Sequence, residues 1–214
     1  MSDWISEQTG AVSREVASME WAGGPARVVV ATRSYPTPVD DLWDAITDAE
    51  RIRRWFMPVS GDLRLGGRYQ LEGNAGGTID RCEPPRLLVV TWEFGGNTSW
   101  VNVTLEAESE DSTVLRLEHI APESAEALAF WDQFGPGAVG VGWDLGFFGL
   151  ARHLGTGGDR PPEADPAWMA TEEAKAFMRE SASAWGAAHV ANGEDPEIAR
   201  GMAGRTAAAY AGEG

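Results

Sequence analysis

Cysteine is almost missing from this 214-residue chain, histidine is scarce, and acidic residues outnumber basic ones nearly two to one. The single thiol, Cys82, cannot close an internal disulfide, so the fold must rest on a buried core, and no nearby base marks the thiol as a nucleophile. The three histidines, His119, His153 and His189, lie far apart, and no His/Cys/carboxylate cluster has ligand spacing, so no metal site is expected. Against 33 Asp and Glu stand 17 Lys and Arg, a net charge of −16. That balance repels phosphate backbones and anionic lipid, which argues against nucleic-acid and membrane-surface partners. No apolar run is long enough to span a bilayer, since the best candidate, 138–154, is interrupted by Asp144 and by glycines. The N-terminal Met-Ser-Asp-Trp-Ile-Ser-Glu lacks the basic and apolar regions of a secretion signal, so a cytoplasmic location is expected and the Asn-X-Ser/Thr triplets at Asn97 and Asn102 read as accidental. Glycine-rich segments at 73–77 and 155–158 lack the lysine and the strand-to-helix setting of a phosphate loop; they read as turns, and no cofactor is expected.

What the chain does have is a glycine-spaced, aromatic-rich helix at 138–154, directly after a long series of strands. Val141, Leu145 and Phe148 share one of its faces, and Trp143, Phe147, Leu150 and Leu154 extend it. Ala138, Gly140, Gly142, Gly146 and Gly149 allow neighbouring elements to approach closely. Before it, 3–19 reads as a short amphipathic helix with Trp4, Ile5, Val12 and Val16 to pack, and 27–34 as a β-branched strand. Val39, Leu42, Trp43 and Ile46 mark one helix; Ile52, Trp55 and Phe56 mark a second that Met57-Pro58 stops. From 61 to 118 the period is two, with strands expected at 61–65, 67–73, 77–82, 87–94, 99–107 and 112–119, an antiparallel meander. Such strands span about 27 Å and the long helix about 25 Å, so the helix can cross nearly the full width of the sheet.

After Leu154, Gly155-Thr-Gly-Gly158 and Pro161-Pro162 read as a linker. A helix follows with a stripe of Ala174, Met178, Ser181, Trp185 and Ala188, and then another, capped by Asp195-Pro196, with Ile198, Met202, Thr206 and Ala209 as its packing face. The division expected is an N-terminal helical extension (1–24), a main domain (25–154), and a linker with a helical C-terminal extension (155–214).

The order strand, two short helices, six strands, long helix resembles the helix-grip fold of the START-like (SRPBCC) superfamily. Val39-Asp-Asp-Leu-Trp-Asp-Ala-Ile-Thr-Asp48 with Trp55-Phe56, Gly61-Asp-Leu-Arg-Leu-Gly-Gly-Arg-Tyr69, Glu83-Pro-Pro-Arg-Leu-Leu-Val-Val-Thr-Trp92, Leu115-Arg-Leu-Glu-His119 and Gly142-Trp143 are similar to the branch named for the heat-shock-protein-90 ATPase activator. The likeness covers roughly 27–154; the string from Gly135 and the helical tail look typical of an uncharacterised bacterial subgroup. It implies an α+β fold in which a curved antiparallel sheet wraps a long helix and encloses a cavity for apolar molecules, where some members catalyse cyclisation or dehydration. No chaperone partner follows from these residues.

Alternation puts His119 on the apolar face with Leu115 and Leu117, where it can serve a ligand as hydrogen-bond partner or general base, or be satisfied by the protein itself. Trp55, Tyr69, Trp92, Trp143 and Phe147 are the aromatic candidates to line the same space, or else fill core; Trp100 alternates to the opposite face. The leading expectation is binding of an apolar or aromatic small molecule between sheet and helix. One alternative is a cyclase-like or hydrolase-like enzyme, with Asp144 as the candidate acid beside His119. Another is an interaction module in which the Met178/Trp185 stripe docks a partner or a second copy as a homodimer, set against docking of the tail on its own chain.

Overall fold

Residues 3–156 and 166–213 are described by the computed structural model. Helix α1 (Asp3–Gly10) precedes strands β1 (Ser13–Trp21) and β2 (Gly24–Tyr35). The expectation of one helix over 3–19 therefore holds only to Gly10, and the 1–24 segment is part helix and part strand. Val12 and Val16 suit a helical period, but they also suit a period of two, and Ser13 and Glu15 between them are exposed. Ala22 and Gly23, at φ 51° and 90°, turn the chain back into β2.

The next two helices, α2 (Val39–Thr47) and α3 (Ala49–Trp55), form where expected. Asp48 caps α3, its carboxylate accepting from the Arg51 N–H at 2.9 Å. Arg51 then reaches back to Asp41 (2.7 Å) and Asp44 (3.0 Å) on α2. The Thr37 hydroxyl and the Arg51 guanidinium hold the Asp41 carboxyl below its ordinary range.

Strands β3 (Val59–Gly61), β4 (Arg68–Leu71), β5 (Gly76–Glu83), β6 (Leu87–Phe94), β7 (Asn97–Ser109) and β8 (Ser112–Pro122) complete the sheet. Its order is β1-β2-β8-β7-β6-β5-β4-β3, curved and unclosed, and β3 through β8 pair antiparallel. This is the α+β helix-grip architecture. The expected strand at 61–65 is corrected: the strand starts at Val59 and ends at Gly61, whose φ of 113° carries the chain out of it. Residues 62–67 instead form a turn, Arg64 N–H donating to the Asp62 carbonyl and Gly67 N–H to that of Arg64, while Gly66 and Gly67 exchange backbone bonds with Ile79.

Helix α4 (Ala125–Phe134) has no counterpart in the sequence reading. Ser124 caps it, and Ala127, Leu128, Trp131 and Phe134 lie half-buried along one face, though none is fully buried. Then come α5 (Gly137–Thr156), α6 (Pro166–Met169), α7 (Glu172–Ala191) and α8 (Pro196–Tyr210). Of the proposed linker, Gly157, Gly158, Pro161 and Pro162 lie outside the described residues.

Two compact units divide the chain, one containing 3–31, 122–148 and 166–213, the other 32–121 and 149–156. In the first, α7 packs on α1, β1 and α8. Met178 and Trp185 are fully buried there, so their stripe is used within the chain and offers no face to a second copy. Trp4 stacks on Phe148 (5.1 Å between ring centres) and donates to Glu173 at 2.7 Å, while Thr9 donates to Glu180 at 2.6 Å. The packing face of α8 differs from the one expected: Met202 and Thr206 are buried, but Ile198 and Ala209 are exposed and Ala199 and Ala207 take their place. The cause is the close α7–α8 approach at Gly186, where only the small Ala199/Ala203 side of α8 fits.

Candidate functional site

In the second unit, a two-residue turn fixes which side chains meet on the sheet. Gly95 and Gly96 both have positive φ (60° and 83°), as a type I′ hairpin turn requires, and this pairs Phe94 with Asn97. Counting back along both strands brings Trp92 opposite Ser99, Val90 opposite Val101 and Leu88 opposite Val103. The β7–β8 register then sets Val101 against His119, Val103 against Leu117 and Leu105 against Leu115. One face of three strands thus carries an apolar ladder with a single polar pair at one end. Val101, Leu105, Leu115 and Leu117 are buried, whereas Leu88, Val90, Trp92 and Val103 are only half-buried.

The polar pair is tightly made. His119 is 7% exposed, and its Nε2 lies 2.7 Å from the Ser99 hydroxyl, which is also 3.2 Å from the Trp92 carbonyl. The Trp92 ring meets the imidazole edge-on at 6.0 Å between centres. Burial pushes the His119 pKa down to about 4, so the ring is neutral at physiological pH.

Tyr69 joins this face from β4. It pairs with Gly77, and its hydroxyl passes that bare backbone to donate to the Thr91 carbonyl at 2.7 Å, an aromatic ring covering a strand glycine. A side chain at Gly77 would overlap the same carbonyl. Burial raises the phenol's pKa well above its usual value, so Tyr69 stays a neutral donor. Tyr69, Leu71 and Ile79 form a buried cluster, against which Phe56, Met57, Val59, Cys82, Leu88, Val90 and Trp92 pack half-buried. Trp55 stacks on Phe56 at 5.4 Å and donates its Nε1–H to the Ala45 carbonyl. Gly149 of α5 sits against the Trp55 carbonyl, so the glycine expected to permit close approach does so here.

Four of the six aromatic and histidine candidates, Trp55, Tyr69, Trp92 and His119, therefore belong to the second unit, linked through the Phe56 cluster and the Trp92–His119 contact. Trp143 and Phe147 stand on the part of α5 that belongs to the first unit, one half-buried and the other buried. Trp100 is half-buried on the opposite face of the sheet, as alternation requires.

Asp144, the expected acid beside His119, is corrected by its partners. Its Oδ2 accepts from Arg14 Nε at 3.0 Å, from Trp185 Nε1 at 3.2 Å and, at very short range, from the Ser181 hydroxyl. Burial raises its pKa, against the pull of Arg14, Ser181 and Trp185. The phase of α5 directs this carboxylate to β1 and α7, so it is a packing group of the first unit. Gly140, one turn before it, lies flat against the Trp185 ring.

Two residues escaped the sequence reading. Ser99 could have been found by counting register outward from Gly95-Gly96. Arg33 of β2 is buried with its guanidinium 5.3 Å from the Tyr35 ring centre; its signal was its place in the strand, two residues from Ala31 and from Tyr35, which are both buried. Among the described residues no group of three or more His, Cys, Asp or Glu side chains could hold a metal ion, and no helix is long and apolar enough to cross a membrane.

Comparison with known proteins was made on this basis. The family model described as Activator of Hsp90 ATPase homolog 1-like protein matches residues 36–154. CalU16 from Micromonospora echinospora is similar over most of both chains. Its crystal structure is 35% identical, covering 83% of this chain and 98% of that one with a TM-score of 0.66. Its solution structure is 37% identical, covering 86% and 97% with a TM-score of 0.69. DynU16, a protein from the dynemicin biosynthetic locus, is 27% identical and covers 64% of this chain and 50% of its own, with a TM-score of 0.52. Among curated proteins none matches.

Proposed function

The chain belongs to the Activator of Hsp90 ATPase homolog 1-like family, and from that premise we propose that it binds an apolar or aromatic small molecule on the inner face of its sheet. The observation that carries this reading is the half-open apolar ladder. Leu88, Val90, Trp92 and Val103 share one face, yet each keeps accessible surface where a core strand would be sealed. Covering apolar surface of this kind contributes about 25 cal/mol per Å², enough to hold a ligand without a charged anchor. Trp92 supplies an aromatic wall, Trp55 and Tyr69 extend it through the Phe56 cluster, and His119 orients the ligand. DynU16 comes from a biosynthetic locus, which favours a small-molecule metabolite as the cargo of a protein similar to it.

Binding is favoured over catalysis by the state of His119. An imidazole whose pKa lies near 4 is a weak base at neutral pH, far from the value a general base needs. The test is a thermal-shift and native mass-spectrometric screen of neutral aromatic compounds against the wild type and Val90→Phe, which fills the ladder. Compounds that stabilise the wild type should lose most of their effect in Val90→Phe. Absence of any hit, or hits indifferent to the substitution, would refute the reading.

A further inference from the structure

We infer that the site selects ligands that bring a hydrogen-bond donor, such as a phenolic hydroxyl, and that Ser99 is the residue that reads it. The inference rests on the binding reading above and follows from counting protons. The Ser99 hydroxyl has one hydrogen and two lone pairs. Two groups stand within hydrogen-bond distance of it: the Trp92 carbonyl at 3.2 Å and His119 Nε2 at 2.7 Å.

If the serine hydrogen goes to the Trp92 carbonyl, His119 must carry its proton on Nε2 and donate to Ser99, occupying one lone pair and leaving the other. If the hydrogen goes to His119 Nε2 instead, both lone pairs remain. In either tautomer the hydroxyl's only hydrogen is spent inside the protein, and at least one lone pair is left to offer. Nε2 is committed to Ser99 in both cases. The remaining hydroxyl of this cluster, that of Tyr69, spends its hydrogen on the Thr91 carbonyl.

A ligand hydroxyl or N–H placed at Ser99 therefore completes the pair, whereas an ether or ketone oxygen meets lone pair against lone pair. The strand faces around it, Leu88, Val90 and Trp92 on β6, Val101 and Val103 on β7, and Leu115 and Leu117 on β8, are uncharged. A planar apolar body with one donor is the chemistry that fits.

Three probes of one skeleton test this: naphthalene, 2-naphthol and 2-methoxynaphthalene, titrated by tryptophan fluorescence and calorimetry. One hydrogen bond gained or left unmade corresponds to a preference of about tenfold. Wild type should bind 2-naphthol about tenfold more tightly than the methyl ether. Ser99→Ala should level the two while keeping naphthalene affinity, and Ser99→Thr, which retains the hydroxyl, should restore the preference. Equal affinity for naphthol and ether in the wild type, or a preference that survives in Ser99→Ala, overturns the role of Ser99 while the binding reading stands. Failure of all three probes, naphthalene included, overturns both.

Discussion

Acidification should destabilise this protein through one identifiable side chain, His119. In the folded chain its pKa is about 4, because a buried imidazole cannot easily take a charge. In the unfolded chain it returns to about 6.5. A depressed pKa means that the unfolded state takes up the proton first. The contribution of His119 is thus fully present above pH 6.5 and is lost as the pH falls toward 4. The gap between the two values corresponds to about 3 kcal/mol, a large part of the stability of an ordinary domain. The acidic residues titrate in the same window, so the measurement must be a difference. Urea unfolding followed by tryptophan fluorescence from pH 7.5 to 4, for wild type and His119→Gln, isolates it. The stability of the wild type relative to the variant should fall by about 3 kcal/mol across that range, and the His119 ring resonances should not titrate near 6.5. A pH-independent difference, or an NMR midpoint close to 6.5, would refute the argument that burial holds this ring neutral.

Three further outcomes follow from α5 and its partners. Asp144→Leu leaves the Arg14 guanidinium, 7% exposed, without its carboxylate, and should cost about 3–5 kcal/mol in denaturant unfolding. Adding Arg14→Met should recover most of that loss, and a double variant as unstable as the single one would show that the ion pair is not the cause. Gly140→Ala places a methyl group into the Trp185 ring, which its bond to Asp144 keeps from shifting, and should lower stability by about 1–3 kcal/mol. Gly155→Ala, in open space at the end of the same helix, should be neutral or slightly stabilising in the same melting experiment.

The elements legible in the sequence were those whose packing face is wide and whose turns have their own chemistry. The hairpin at Gly95-Gly96 and the alternating strands β7 and β8 are of this kind: one glycine pair and a strict period of two leave a single register open. Residues 12–16 were not, because Val12 and Val16 satisfy both periods and only pairing with β2 decides between them. Nor was α4, where the exposed apolar residues Ala125, Ala129 and Phe130 blur the half-buried face of Ala127, Leu128, Trp131 and Phe134. On α8 the sequence reading places Ile198 in the packing face, whereas the contact is decided by the smallness of Gly186, Ala199 and Ala203. His119 was found by alternation alone. Its partner Ser99 lies on the neighbouring strand, and a single strand's pattern does not name its neighbour. Asp144 interrupts an apolar helix in the sequence, but its role depends on Arg14, Ser181 and Trp185, which are distant in the chain and close only after folding.

That dependence has a consequence for how the protein is made. The family match ends at residue 154, and Asp144 leaves the ribosome 41 residues before Trp185. At about 5–20 residues per second, α5 waits roughly two to eight seconds with its carboxylate and its glycine-lined flank uncovered. Helix α7 therefore closes over α5 only later in synthesis. A chain released early, with the whole family-matched region already in place, would still expose the surface that α7 exists to cover, and would be a natural substrate for holdases and proteases until discarded.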